Sequence, residues 1–229
     1  MRQSTLFQKD IEKFEPGEEQ LVETSFPYQT KKILFNVHYK HNLISFEQLK
    51  TYLVEDRVSP CQKGLVCNNS GKCYSCPPLS PTLEKYNRGY KNALVYAFYV
   101  DWDFKMKDNP KYPKQNQYFH LVNANRTLSP MAWNYGQQLE KLLGGVDCID
   151  GRCPICVKCN YPKGCLYPTE RRCSMESLGL DASRLSKEIL NHEILWYIKI
   201  DNKIQVPKYL TVIHSLITNS NEPKTRINY

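Results

Sequence analysis

Between Cys148 and Cys173 the chain reads C-I-D-G-R-C-P-I-C-V-K-C-N-Y-P-K-G-C-L-Y-P-T-E-R-R-C, which places six of its ten cysteines within 26 residues. Cys153, Cys156 and Cys159 form an unbroken C-x-x-C-x-x-C. Two-residue gaps let a short, curling backbone turn three thiolates toward one small object, and the natural object is a metal centre. A cubane iron–sulfur cluster takes four thiolates, the fourth often arriving from elsewhere as Cys-Pro. Cys165, after five intervening residues, is the local candidate; Cys76, in Cys76-Pro77-Pro78, and Cys173 are the distant ones. Zinc more often takes pairs of cysteines across a longer spacer, and disulfides need an oxidising compartment. The spacing points to an iron–sulfur cluster of the 4Fe–4S type, with zinc as the alternative.

A second group, C-Q-K-G-L-V-C-N-N-S-G-K-C-Y-S-C-P-P, holds Cys61, Cys67, Cys73 and Cys76. Its spacing matches no common ferredoxin pattern, but it ends in a C-x-x-C pair and a Cys-Pro step. Cys73 reads equally well as a ligand or as an ordinary small residue. With Cys61, Cys67 and Cys76 alone, a cubane would keep one iron open to water, sulfide or substrate, and could act as a Lewis acid. With Cys73 added it would be closed and suited to electron transfer or structure.

The other residue types are less informative. The five histidines form no H-x-x-x-H or H-E-x-x-H; His38 and His214 fall in expected strands as packed or solvent-facing residues, and His120 is the best site candidate among them. Asp101 and Asp103 would share a strand face, where a solvated strand end is the ordinary reading. No glycine-rich phosphate loop and no G-x-S-x-G is present, so nucleotide-dependent and serine-hydrolase chemistry find no support.

These residues need a scaffold. At 229 residues the chain can bury a core without staples, and its formal charge of +8 is dispersed rather than gathered in a run. No stretch approaches the roughly 18 apolar residues of a membrane span, and the N-terminus lacks a signal-peptide core. The expectation is a cytoplasmic protein whose partner is a redox protein or a small-molecule substrate; nucleic acid is a weaker candidate and a membrane none. The alternative function is a zinc-stabilised module for nucleic acid or protein, or a carrier of metal or sulfur.

Residues 1–28 are polar and read as a loosely ordered segment ahead of a single domain, 29–229. Lys32 to Tyr39 alternates like a half-buried strand, and Ser45 opens a capping box for a helix to about Glu55. Ser80, Pro81 and Gly89 bracket a short helix, and Asn92 to Phe104 is the strongest strand. Residues 105–117 read as a polar loop. Ser129 and Pro130 start a helix that Gly144-Gly145 stops, delivering the chain into the main cysteine stretch. Asp181 caps a helix to about Asn191, and strands follow near 195–200 and 209–218. Without a regular βαβ alternation, this order predicts an α+β fold with a largely antiparallel sheet, flanking helices and two cysteine-rich metal-binding loops.

Four segments, C-x5-C, G-K-x-Y-S-C-P-P-x-S-P-T, C-P-x-C-x-K-C-x-Y-P-x-G-C-x-Y-P and R-R-C-S-M-E-S-L-G-L-D, together resemble an uncharacterised cysteine-rich family of anaerobes labelled predicted metal-binding protein. The resemblance spans roughly Cys61 to Asp181. It implies metal ligation by Cys61, Cys67 and Cys76 in one group and by Cys153, Cys156, Cys159 and Cys165 in the other. Cys73 falls at a variable position of the family, and Cys173 stands where proline is more usual. The resemblance supplies no reaction.

Overall fold

Asn92 to Asp101 carries two interleaved apolar sets, and in the computed structural model it forms β3, the middle strand of a five-stranded sheet. The structure describes residues 21–29, 34–56, 69–101, 117–195, 198–200, 203–205 and 207–221. Beside β3 lie β2 (Leu34–Ser45) and β7 (Tyr209–Thr218), with β1 (Val22–Gln29) and β4 (Val146–Cys148) at the edges. Every pairing in this sheet is antiparallel. A separate hairpin joins β5 (Ile198–Ile200) to β6 (Lys203–Gln205).

The sheet is covered on both sides, which is why β3 lacks a polar face. Leu94, Tyr96, Phe98 and Val100 meet the long helix α3 (Gln117–Leu143) through Leu128, Met131, Ala132, Tyr135 and Leu139. Ala93, Val95 and Ala97 face the opposite core, built from α1 (Phe46–Lys50), α2 (Leu83–Asn87), α4 (Ala182–Ile189) and the segment around a 3-10 turn at Glu176–Leu178. Each large side chain buried this way contributes about 1.5–3 kcal/mol. The α+β class and the antiparallel sheet agree with the pattern of the sequence.

Several boundaries differ for identifiable reasons. Ser45 caps α1 by accepting from the Gln48 N–H, as its capping box predicts, but the helix ends at Lys50. Beyond it, Leu53 bridges Leu180 and the Val54 N–H donates to Gly179 O, so tertiary pairing takes over. α2 is capped by Thr82 rather than Ser80, whose hydroxyl donates to Ser177 O at 2.8 Å. α3 starts twelve residues before Ser129 and takes Pro130 into its interior. Ser129 is not a cap; its hydroxyl donates to Asp150 at 2.7 Å. Val22–Gln29 is a strand paired along its length with β2, inside the segment expected to be loosely held. β5 pairs with β6 rather than with β7, and β7 lies between β3 and β4.

Candidate metal centre

β4 is a three-residue edge strand, and the cysteine stretch leaves the sheet from its end. The loop is closed at its base: the Ile149 N–H donates to Cys173 O at 3.0 Å and the Met175 N–H to Ile149 O at 3.1 Å. Arg172, at the returning end, makes a bidentate ion pair with Glu140 of α3, with contacts of 2.5 and 2.7 Å. Glu140 also accepts the Asp147 N–H at 2.7 Å, so one carboxylate ties both ends of the loop to the same helix. A long excursion with fixed ends can hold side chains in place without regular structure.

Within the loop, Arg152 donates to the carbonyls of Cys156 and Val157, and Asn160 to that of Gly164. Cys153, Cys156, Cys159 and Cys165 are all half-buried, and none is in a disulfide. They influence one another: partial desolvation, then the neighbouring Cys153, Cys165 and Cys159 sulfurs, push the Cys156 thiol up. Cys159 goes the other way. Against desolvation, backbone N–H groups of Tyr74 and Tyr161, the Cys73 thiol and the Arg152 charge hold it below its ordinary value. Donors aimed at a sulfur favour its thiolate, the form that binds metal.

The end of the first cysteine group packs onto this loop. The free Cys73 thiol lies within hydrogen-bonding reach of the Cys159 and Cys76 sulfurs. The Cys153 N–H donates to Ser75 Oγ at 3.2 Å. The Tyr74 hydroxyl donates to Pro162 O and accepts from the Gly164 N–H, both at 3.0 Å, and its ring meets Tyr161 edge-on. The described end of the first group, with Cys73 and Cys76 buried, therefore packs against a loop some eighty residues away in sequence. Cys61 and Cys67 lie outside the described residues. Among the described residues no three His, Cys, Asp or Glu side chains are disposed as ligands of a single metal ion. The donor set still suits a soft metal: unbridged thiols, gathered on one loop, with N–H groups directed at Cys159.

Cys148 and Cys173 have a different surrounding. Both are fully buried among the apolar residues of the α4 side of the sheet, and burial drives the Cys148 thiol far up. They pack as small hydrophobes.

One constellation escaped the sequence. His214 of β7 stands between two carboxylates, with Nδ1 2.8 Å from Asp147 and Nε2 3.0 Å from Asp150. Tyr96 Oη lies 3.0 Å from both Asp147 oxygens. Despite its burial, the charges and hydrogen bonds of Asp147 and then Asp150 raise the imidazole pKa to about 9, so both nitrogens donate. Burial raises the Asp147 carboxyl. Asp150 is held low, against desolvation, by His214 and Ser129. The only sign in the sequence was a histidine at the position between Val212 and Leu216 on an apolar strand face. Of the other candidates, His38 stacks on Tyr99, while Asp103 and the side chains of His120 and Asp101 lie outside the described residues.

No helix among the described residues is long and apolar enough to cross a membrane. Neither the curated proteins nor the solved structures yield a match to the chain. The model of one protein family, described as "Predicted metal-binding protein (DUF2284)", matches residues 47–211, a span that includes all of the candidate ligands, and the chain belongs to that family.

Proposed function

We propose that this protein carries one or two cysteine-ligated iron–sulfur clusters of the 4Fe–4S type and works in electron transfer or cluster-based redox chemistry. The observation that carries the reading is the contrast between the two sets of cysteines. Those of C-x-x-C-x-x-C and Cys165 sit half-exposed on a loop anchored at both ends, whereas Cys148 and Cys173 are absorbed into the core. Cys153, Cys156, Cys159 and Cys165 would hold one centre. Cys61, Cys67 and Cys76, with Cys73 beside Cys159, would hold a second or complete the first. When bound, such a cluster supplies a one-electron store, and an iron without a thiolate supplies a Lewis acid. The chain's own residues would close the loop base, donate hydrogen bonds to the Cys159 sulfur and leave one side of the centre open to solvent.

The test is iron loading in single variants prepared without oxygen. Cys159→Ala should lose most of the bound iron, Cys148→Ala should keep it, and Cys73→Ala decides whether that thiol is a ligand. Equal iron in Cys148→Ala and Cys159→Ala would sink the assignment.

A further inference from the structure

The cysteine loop is also the most apolar piece of exposed surface that the described residues offer. Of their seven exposed large apolar side chains, four lie between residues 157 and 167. Val157 is 97% exposed and Leu166 60%, values that packing among the described residues does not explain, and Tyr161 and Tyr167 are exposed by more than 40%. Exposed apolar side chains scattered singly are ordinary, but a cluster of this kind marks a contact surface.

Its electrostatic frame has one sign. From Gly151 to Arg172 the chain holds five cationic residues and a single acid, Glu170. Arg172 is spent on Glu140, and Arg152 is turned to carbonyls of its own loop. Lys158 and Lys163 are exposed in the same stretch as the apolar side chains, and Arg171 is half-buried near its end. An apolar centre ringed by cations complements an apolar centre ringed by carboxylates. A second copy of the loop would bring like charges together. A nucleic-acid strand would ask for a longer cationic track and for stacking rings in place of aliphatic Val157 and Leu166.

We propose that the loop from Val157 to Tyr167 is the docking surface for an acidic electron-transfer protein. This rests on the iron–sulfur reading, because the same loop presents the half-exposed cysteines, and a partner seated there would approach the centre closely. Such encounters bury little area, dissociate readily, and owe their association rate to charge, so they weaken with salt.

The experiment is calorimetric titration of the anaerobically prepared protein with two acidic one-electron carriers, a flavodoxin and a plant-type ferredoxin. At low salt at least one should bind, with affinity falling about tenfold or more as sodium chloride rises from roughly 20 to 300 mM. Lys158→Glu with Lys163→Glu should lose binding by a similar factor, and Val157→Ser with Leu166→Ser should weaken it severalfold without altering the salt slope. No binding at low salt, or binding indifferent to both double variants, overturns the proposal. So does a preference for a single-stranded oligonucleotide or for phosphatidylserine vesicles over both carriers. Iron analysis of the same sample separates the two readings. Iron–sulfur protein that fails to dock leaves the cofactor standing, and zinc protein that docks as described leaves the surface standing.

Discussion

Replacing His214 by glutamine probes the buried network beneath the cysteine loop. The imidazolium is enclosed by Asp147 and Asp150, with Tyr96, Glu176 and, through the Asp147 backbone, Glu140 as its other ionisable neighbours. Glutamine can keep one contact but brings no charge, so two carboxylates are left without their cation. Removing one partner of a buried pair costs about 3–5 kcal/mol. The pH dependence provides an independent check. A histidine whose pKa rises from 6.5 to about 9 on folding contributes stability that is complete below pH 6.5 and lost as pH climbs through 9. The size of that loss is about 3 kcal/mol. Urea unfolding followed by circular dichroism at pH 6, 7.5 and 9.5 reads both. The native protein should lose stability over this range and the His214→Gln protein should show a much flatter profile from a lower start. A loss under about 1 kcal/mol in the variant, or a native profile flat from pH 6 to 9.5, would refute the doubly paired imidazolium.

Two further expectations follow from the same region. Gly136 faces Asp147 and Tyr96 so closely that an added Cβ would fall inside the carboxylate. Gly136→Ala should therefore cost about 1–3 kcal/mol in thermal or urea unfolding, although alanine is the better helix former; a more stable variant would contradict the contact. Glu140→Gln weakens the clamp on both ends of the loop. Hydrogen exchange should then quicken at residues 147 and 169–173 while β3 keeps its protection, and uniform behaviour across the two regions would argue against a local anchor.

What the sequence made legible was what depends on local rules. Alternation pointed to part of β2 and a β-forming composition to β3, and Ser45 and Asp181 cap their helices as their positions predict. The cysteine spacing pointed to the loop that carries the half-exposed thiols, but it also offered Cys173 as a fourth ligand, against which only the family resemblance spoke; the structure buries it in the core. The failures came from tertiary demands. Ser80 and Ser129 are good caps by type, yet each donates its hydroxyl to a distant segment. Pro130 sits inside α3, where the missing N–H is offset by a buried stripe from Leu128 to Leu139. The approach of Cys73 to Cys159, and the Asp147–His214–Asp150 network, depend on strand order and on loops crossing in space. Spacing along the chain carries neither.

The central claim is the metal itself, and one preparation tests it. Protein made and purified without oxygen should be brown and hold about four or eight irons per chain with equivalent inorganic sulfide, and it should bleach on oxidation. A colourless protein holding stoichiometric zinc and no sulfide would contradict the account.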